Sequence, residues 1–589
     1  MERLIKLSIF YAVSLFAVLA IWFTSSHEIA QDDEETGVGI EAMNQILAED
    51  VSLSISMFLH QVASDLEPWL EEGEEEELTS WLADHPFIEG MALFSDDQVV
   101  WEYGTIESDA KDQIEPFDEY LFLSDPYERN GKDHLLVGRQ KEEEVIVGEL
   151  DLSFVEHFAQ DLGHVMDQQQ QFVAGGDDVD VKTLTEDERV GSMAYGNVPE
   201  LNWEVIIDQH ENQEEATHFI EHEAVVKLTE IANEMEWLKQ QNVKKVDDHD
   251  PYIVVRDESQ PTDSFVKSLQ QDEEIEWAEP NYLYHKQQND NETFRDQFSL
   301  PNDEFYAPYQ WNLHQIDMEE QGWELDEEEM NDVSIAIIDS GVDPDHPDLE
   351  EKLTAGYNAF THDSTFHDEN GHGTHVAGVA TAITNNVEGI AGVGWENPLL
   401  AVKVLDEQAE GDAMSIADGI RWAVDEGAEV INLSLGDHHD SEVLHDAIRY
   451  AYDNDVVLIA ATGNENVSTP MYPAAYEEVL AVSAVDINDK KAIFSNYGNH
   501  VDVTAPGEHI PSTFLNKQYM MMSGTSMASP HVAGLAGVIR IKDSSLNNEE
   551  IYDIIRESSD DLGRVGRDPY YGYGKINIKN ALERLEKTD

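Results

Sequence analysis

The sequence predicts an α/β fold for residues 301–589: a doubly wound, mostly parallel sheet preceded by a β-α-β-β-α-β unit and an α+β region. Three observations predict it. From about Asn302 the chain turns richer in Gly, Ala and Val, and it carries continuous apolar runs: "VSIAIID", "LLAVKVL", "AEVINLSLG", "VVLIAATG" and "VLAVSAV". Strands apolar on both faces belong in a parallel sheet covered on both sides. These runs alternate with helical stretches, "MSIADGIRWAVDEG" and "DSEVLHDAIRYAYDND", as a doubly wound sheet requires. No repeat unit is present.

Taken from the N-terminus, residues 1–26 contain a basic start and an apolar run from Leu7 to Phe23, which reads as a signal peptide or a membrane anchor. Basic residues before the run and acidic ones after it place the rest outside the cytoplasm. The expected product is secreted or tethered to the outer face of the membrane. Residues 38–212 open on a long helical pattern, "MNQILAEDVSLSISMFLHQVASDLEPWL", followed by short strand-like runs such as "IEGMALFS", "HLLVGRQ" and "WEVIID". A long helix and then a mixed sheet resembles, in layout, the Cache-type extracytoplasmic sensor domains. An acidic spacer with no ligand fits the same layout.

Residues 218–288 change pattern: "AVVKL", "VKKVDD", "PYIVVR" and "IEWAEPNYLYH" read as strands, and "ANEMEWLKQQN" and "DSFVKSLQQ" as helices. That order is ferredoxin-like. The polar stretch 289–300 reads as a linker.

Composition limits the partners. The chain carries 33 basic and 124 acidic residues, a formal net charge of -91. Nucleic acid is excluded, because phosphate binding needs clustered Lys and Arg. Such a surface suits a protein kept soluble in high salt or at high pH. There is no cysteine, hence no disulfide, thiolate metal site or cysteine nucleophile.

Three short motifs in residues 301–589 carry chemistry. "IAIIDSGVD" puts Asp339 at the end of a buried strand, where open parallel sheets keep their sites. "NGHGTHVAG" puts His372 and His375 at a helix start. Their i, i+3 spacing also admits a metal pair, and spacing alone does not choose between them. "SGTSMASPHVAG" leads into a helix in which Pro530 must lie near the first turn, so the helix should begin between Thr525 and Met527. Ser526 would then expose its hydroxyl and a backbone N–H without a helical partner. Ser523 falls before the helix and Ser529 within it.

Together these motifs resemble the subtilisin-like serine proteases (subtilases), and in particular the thermitase branch. "AIIDSGVDPDHPDL", "HGTHVAG" and "GTSMASPHVAG" carry the resemblance over about half the chain, in the order Asp, His, Ser known for subtilisin. The resemblance implies that Asp339 orients His372, that His372 is general base and then acid, and that Ser526 is the nucleophile. It implies Asn464 of "AATGNEN" as the oxyanion donor. It implies that Ser434, Leu435 and Gly436 pair with substrate backbone and, with Ala461, Thr462 and Gly463, wall the specificity pocket, where Glu465 favours a basic or polar residue. Structural Ca2+ is implied at Asp303, Asp348 and Asn386 with the carbonyls of Ile383, Glu388 and Ile390, an oxygen shell of the kind calcium prefers. A second ion is placed near Asp363. Residues 218–288 resemble the inhibitory propeptide of these enzymes, with cleavage in the linker that follows Tyr284. The expected function is an extracytoplasmic serine endopeptidase made as a zymogen, monomeric after maturation, with peptide substrates and its own propeptide as partners. A membrane-tethered sensor regulating the protease is the alternative.

Overall fold

The computed structural model describes residues 36–70, most of 78–155, 171–175, 193–208, parts of 219–282, 300–318 and 333–586. The apolar run Leu7–Phe23 and nearly all of the 289–300 linker lie outside the described residues. No described helix is long and apolar enough to cross a membrane. Two compact units form: residues 211–297, and the remainder, in which residues up to 210 join those from 298 onward.

In the larger unit the five predicted strands, joined at the edges by Leu353–Asn358 and Val503–Pro506, make a seven-stranded sheet with every neighbouring pair parallel. Its order is Leu353–Asn358, Leu399–Lys403, Ile335–Asp339, Val430–Leu433, Val457–Ala461, Leu480–Val485, Val503–Pro506. Side chains alternate across a strand, so each apolar run feeds two cores. Ile335, Ile337, Val457 and Ile459 face one core, which includes much of the helices His372–Thr381 and Thr525–Lys542. Ala336, Ile338, Leu458 and Ala460 face the other, against Ala413–Asp425 and Glu442–Asp453. This is why the strands read as continuously apolar. Asp412 caps the third of these helices, accepting from Met414 N and Ser415 N.

The long helix runs from Thr36 to Leu66. The strands after it form an antiparallel sheet, ordered Gln98–Gly104, Ile88–Ser95, Glu144–Asp151, Lys132–Lys141, Phe122–Leu123, Glu115–Pro116, with Tyr127–Arg129 also on Lys132–Lys141. A second antiparallel sheet joins Gln171–Gly175, Trp203–Asp208 and Met193–Val198. The mixed sheet expected from sequence is thus antiparallel throughout the described residues. Several of its connections are only a few residues long, as between Ser95 and Gln98, and parallel pairing needs a longer crossover.

Among its described residues the smaller unit has four strands, Phe219–Leu228, Lys244–His249, Tyr252–Arg256 and Ile275–Tyr282. They pair antiparallel in the order second, third, first, fourth, the arrangement of a β-α-β-β-α-β unit. Val226, Trp237, Ile253, Val255, Phe265, Val266 and Leu269 form its core.

Candidate active site

The strand Ile335–Asp339 has Leu399–Lys403 on one side and Val430–Leu433 on the other. The chain runs from it first to the Leu353–Asn358 side and then crosses from Leu399–Lys403 to Val430–Leu433, so the strand order reverses here. Ligands of open α/β sheets bind outside the carboxyl ends of strands at such a switch point. Asp339 ends this strand, Ser434 follows Leu433, and Thr462 to Asn464 follow Ala461.

Asp339 is fully buried, and its Oδ1 accepts from His372 Nδ1 at 2.7 Å and from Ser340 N at 2.7 Å. His372 is the first residue of its helix. The turn into it needs Gly371 at φ 104°, and a Cβ there would lie 2.3 Å from the Phe514 ring. Asp368, missed in the sequence reading, anchors this helix start: its carboxylate accepts from Gly371 N, Thr374 N and Thr374 Oγ1. Burial pulls the imidazole of His372 down, but the charge and hydrogen bond of Asp339, with Asp368 behind, outweigh it and raise His372 above its ordinary value. His375 is different. It is fully buried, Nε2 lies 3.1 Å from Ile510 O and 3.0 Å from Met520 O, and burial depresses it to about 3. It is a packed structural histidine. Among the described residues no cluster of three or more His, Asp or Glu is arranged to hold a metal.

The helix Thr525–Lys542 begins where expected, but Pro530 is its sixth residue rather than part of the first turn. An N–H at 530 would have bonded Ser526 O; a proline leaves that carbonyl free. Ser434 Oγ fills the gap, donating to Ser526 O at 2.9 Å. Ser526 Oγ donates in turn to Ser434 O at 3.2 Å. Ser523 is 3 % and Ser529 0 % exposed, whereas Ser526 is half-buried. The amide of Asn464 is oriented by its neighbour in space: its Oδ1 accepts from Thr525 N at 2.8 Å and Thr525 Oγ1 at 2.9 Å. That leaves the Nδ2 group of an exposed residue as the donor beside the helix start.

Around the expected pocket, Gly463 sits at φ 99°, and a Cβ there would lie 2.1 Å from Met471 Sδ. A Cβ on Gly436 would meet Met471 Cε at 3.6 Å. Met471 therefore lies against both walls, a residue that sequence reasoning missed because "PMYP" carries no chemical signal. Glu465 Oε2 accepts from Asn496 Nδ2 at 2.6 Å.

Asp303 and Asp348, 4 % and 0 % exposed, come together with the loop 383–390. Asp303 accepts from Asn385 N, and Asp348 from Asn386 Nδ2, Ile390 N and Tyr519 OH. Burial pushes Asp303 upward and Asp348 up to about 7. Neither is paired with a basic side chain among the described residues. Positive φ at Asn385, Val387 and Gly389 coils the loop tightly. Val387 is β-branched and such a residue is rarely left-handed. Two buried acids without a cation, one side-chain amide and nearby carbonyls fit a hard divalent cation. Asp363 does not join a site: its exposed Oδ1 is taken by Thr361 Oγ1, Thr365 N and Thr365 Oγ1.

The comparisons agree with this architecture. The subtilase family profile matches residues 330–574. The chain is 43 % identical over 320 residues to a thermophilic serine proteinase of Bacillus sp. (strain AK1), covering 54 % of this chain and 76 % of that protein. It is 41 % identical over 283 residues to thermitase of Thermoactinomyces vulgaris, covering 48 % of this chain and 99 % of that protein. A thermostable alkaline protease of Halalkalibacterium halodurans is 38 % identical over 253 residues, 43 % of this chain and 68 % of that protein. The chain belongs to the subtilase family and is a thermitase-like serine endopeptidase.

Proposed function

We propose that the chain cleaves peptide bonds through Asp339, His372 and Ser526, with Asn464 Nδ2 and the Ser526 backbone N–H holding the oxyanion. The 2.7 Å bond between Asp339 and His372 at the carboxyl edge of the sheet carries this reading. Asp339 fixes the imidazole so that Nε2 is free to take a proton. Attack requires the Ser526 hydroxyl to turn from Ser434 O toward His372, which accepts its proton as Oγ bonds the carbonyl carbon. His372 then protonates the leaving amine, and water repeats the cycle on the acyl-enzyme. Ser434 to Gly436 would pair with substrate backbone and, with Ala461 to Gly463 and Met471, wall the specificity pocket. Glu465 favours a basic or polar substrate residue there.

Ca2+ would be held by Asp303, Asp348 and Asn386 with the carbonyls of Ile383, Glu388 and Ile390, neutralising two buried acids and stiffening the loop. Residues 218–288 would act as an inhibitory propeptide severed from the protease chain by cleavage in the 289–300 linker, yielding an extracytoplasmic enzyme with an acid-rich surface. The test is Ser526→Ala. A fluorophosphonate probe should label the wild-type chain at Ser526, and the variant should neither mature nor cleave casein. Casein cleavage by the variant would overturn the assignment.

A further inference from the structure

One polar cluster outside the active site joins the N-terminal region to the protease. Asp50, Ser54, Met57 and Gln61 recur at four- and three-residue steps and so share one face of the long helix Thr36–Leu66. Each meets the protease. Asp50, fully buried, accepts from Ser523 Oγ at 3.1 Å and lies 2.7 Å from His509 Nδ1. Ser523 Oγ in turn accepts from His509 N at 2.8 Å. Glu49 pairs with His509 Nε2 at 3.0 Å. Ser54 Oγ accepts from Met521 N at 3.0 Å, covering a backbone donor of the two-stranded hairpin Ile510–Phe514 and Gln518–Met522. Met57 packs with Phe305, Ile390, Tyr519 and Met521. Gln61 Nε2 donates to Lys517 O at 3.0 Å. The opposite helix face belongs to the N-terminal sheet: a Cβ on Gly196 would lie 2.1 Å from both Ala48 O and Ser52 Oγ.

A buried carboxylate is tolerated only with a counter-charge and hydrogen bonds. Asp50 has both, and each comes from the protease. An acidic spacer would need no such match.

We propose that residues 36–208 form a permanent docking subunit of this protease, seated through the long helix on the hairpin 510–522. The Asp50–His509–Ser523 latch would hold it there after the 289–300 linker is cut. Ser523 stands three residues before Ser526, so the latch also fixes the chain entering the proposed nucleophile. The retention after cleavage rests on the maturation reading above; the docking does not.

Native size exclusion of the matured enzyme, followed by denaturing electrophoresis, tests it. The casein-cleaving fraction should contain the fragment bearing residues 36–208 and the 301–589 fragment in equal amounts. If the chain remains uncut, the maturation reading has failed. A foreign protease site inserted in 289–300 then makes the cut and the docking is tested unchanged. Asp50→Ala and His509→Gln, each checked for native circular dichroism before the cut, should release at least tenfold more free fragment. These variants separate the latch from any hold by residues 218–288. Wild-type fragments that elute apart would overturn the docking, and retention unchanged in both variants would overturn the latch.

Discussion

The side-chain oxygen of Asn464 is held by the backbone N–H of Thr525 at 2.8 Å and by its hydroxyl at 2.9 Å. The residue next to the proposed nucleophile thus decides which end of the amide faces the cleft. Replacing Asn464 by Leu removes the donor with little change in substrate contact. The expected loss is about 10²–10³ in kcat with KM nearly unchanged, the size measured for such a donor in a subtilisin. Thr525→Ala keeps the backbone anchor and should cost far less, about tenfold or under by loss of one neutral hydrogen bond. Steady-state kinetics on a chromogenic peptide reads both.

The pH profile follows from His372. Catalysis needs the neutral imidazole, and the charge of Asp339 prevails over burial to raise His372 above its ordinary 6.5. The acid limb of kcat/KM should therefore have its midpoint above pH 6.5. Asp339→Asn should lower kcat by about 10⁴ and move that limb to lower pH. A limb unmoved in that variant would remove the pairing.

Removal of calcium should cost stability more than chemistry. A cation at 100 times its Kd contributes about 2.7 kcal/mol. For a domain of this size each kcal/mol is worth about 2–4 °C. Chelation should then lower the calorimetric midpoint by roughly 5–10 °C, reversibly on adding calcium, and Asp348→Asn should abolish the difference. An equal midpoint with and without chelator would dismiss the cation.

Much of the protease fold was legible because each strand is apolar on both faces and each candidate residue sits at a strand end or helix start. Asp339 and Ser526 are legible that way; the choice of His372 over His375, and Asn464 as the oxyanion donor, follow only from the resemblance to the subtilases. Sequence places Pro530 near the first turn, because it shows only that an N–H is missing; it does not show that Ser434 can supply the lost hydrogen bond. Met471 carries no chemical signal of its own, and Asp368, though it acts only three to six residues away on Gly371 and Thr374, reads in sequence as one more solvated acid. Asp50 was invisible for the same reason: an acid in an acidic helix looks solvated until His509, 459 residues later, is seen beside it.

Docking of the N-terminal region should weaken at alkaline pH. Burial disfavours the His509 cation, yet Asp50 and Glu49 on the helix and Glu508 beside it raise His509 well above 6.5. Burial likewise pushes Glu508 up to about 7, with Asp486, Asp50 and Glu49 adding to it against His509. Groups whose docked values are raised take up protons on docking, so the contribution is full at low pH and lost as pH rises through those values. Above that, Asp50 is left buried without a counter-charge. Fragment release followed by size exclusion from pH 6 to 10 should rise with pH, and His509→Gln should flatten the curve.

Salt should stabilise this chain through a different channel from calcium. With a formal net charge of -91, carboxylates at the surface repel one another across distances that ordinary buffer leaves only partly screened. The screening length falls from about 10 Å at 0.1 M to about 3 Å at 1 M. The thermal midpoint should rise steadily between those concentrations, equally for NaCl and KCl, without the saturation expected of a bound ion. Buried pairs such as Asp50–His509 are screened far less, so fragment retention should hold over the same range. A midpoint that falls with salt would show that attractive surface pairs outweigh the repulsion.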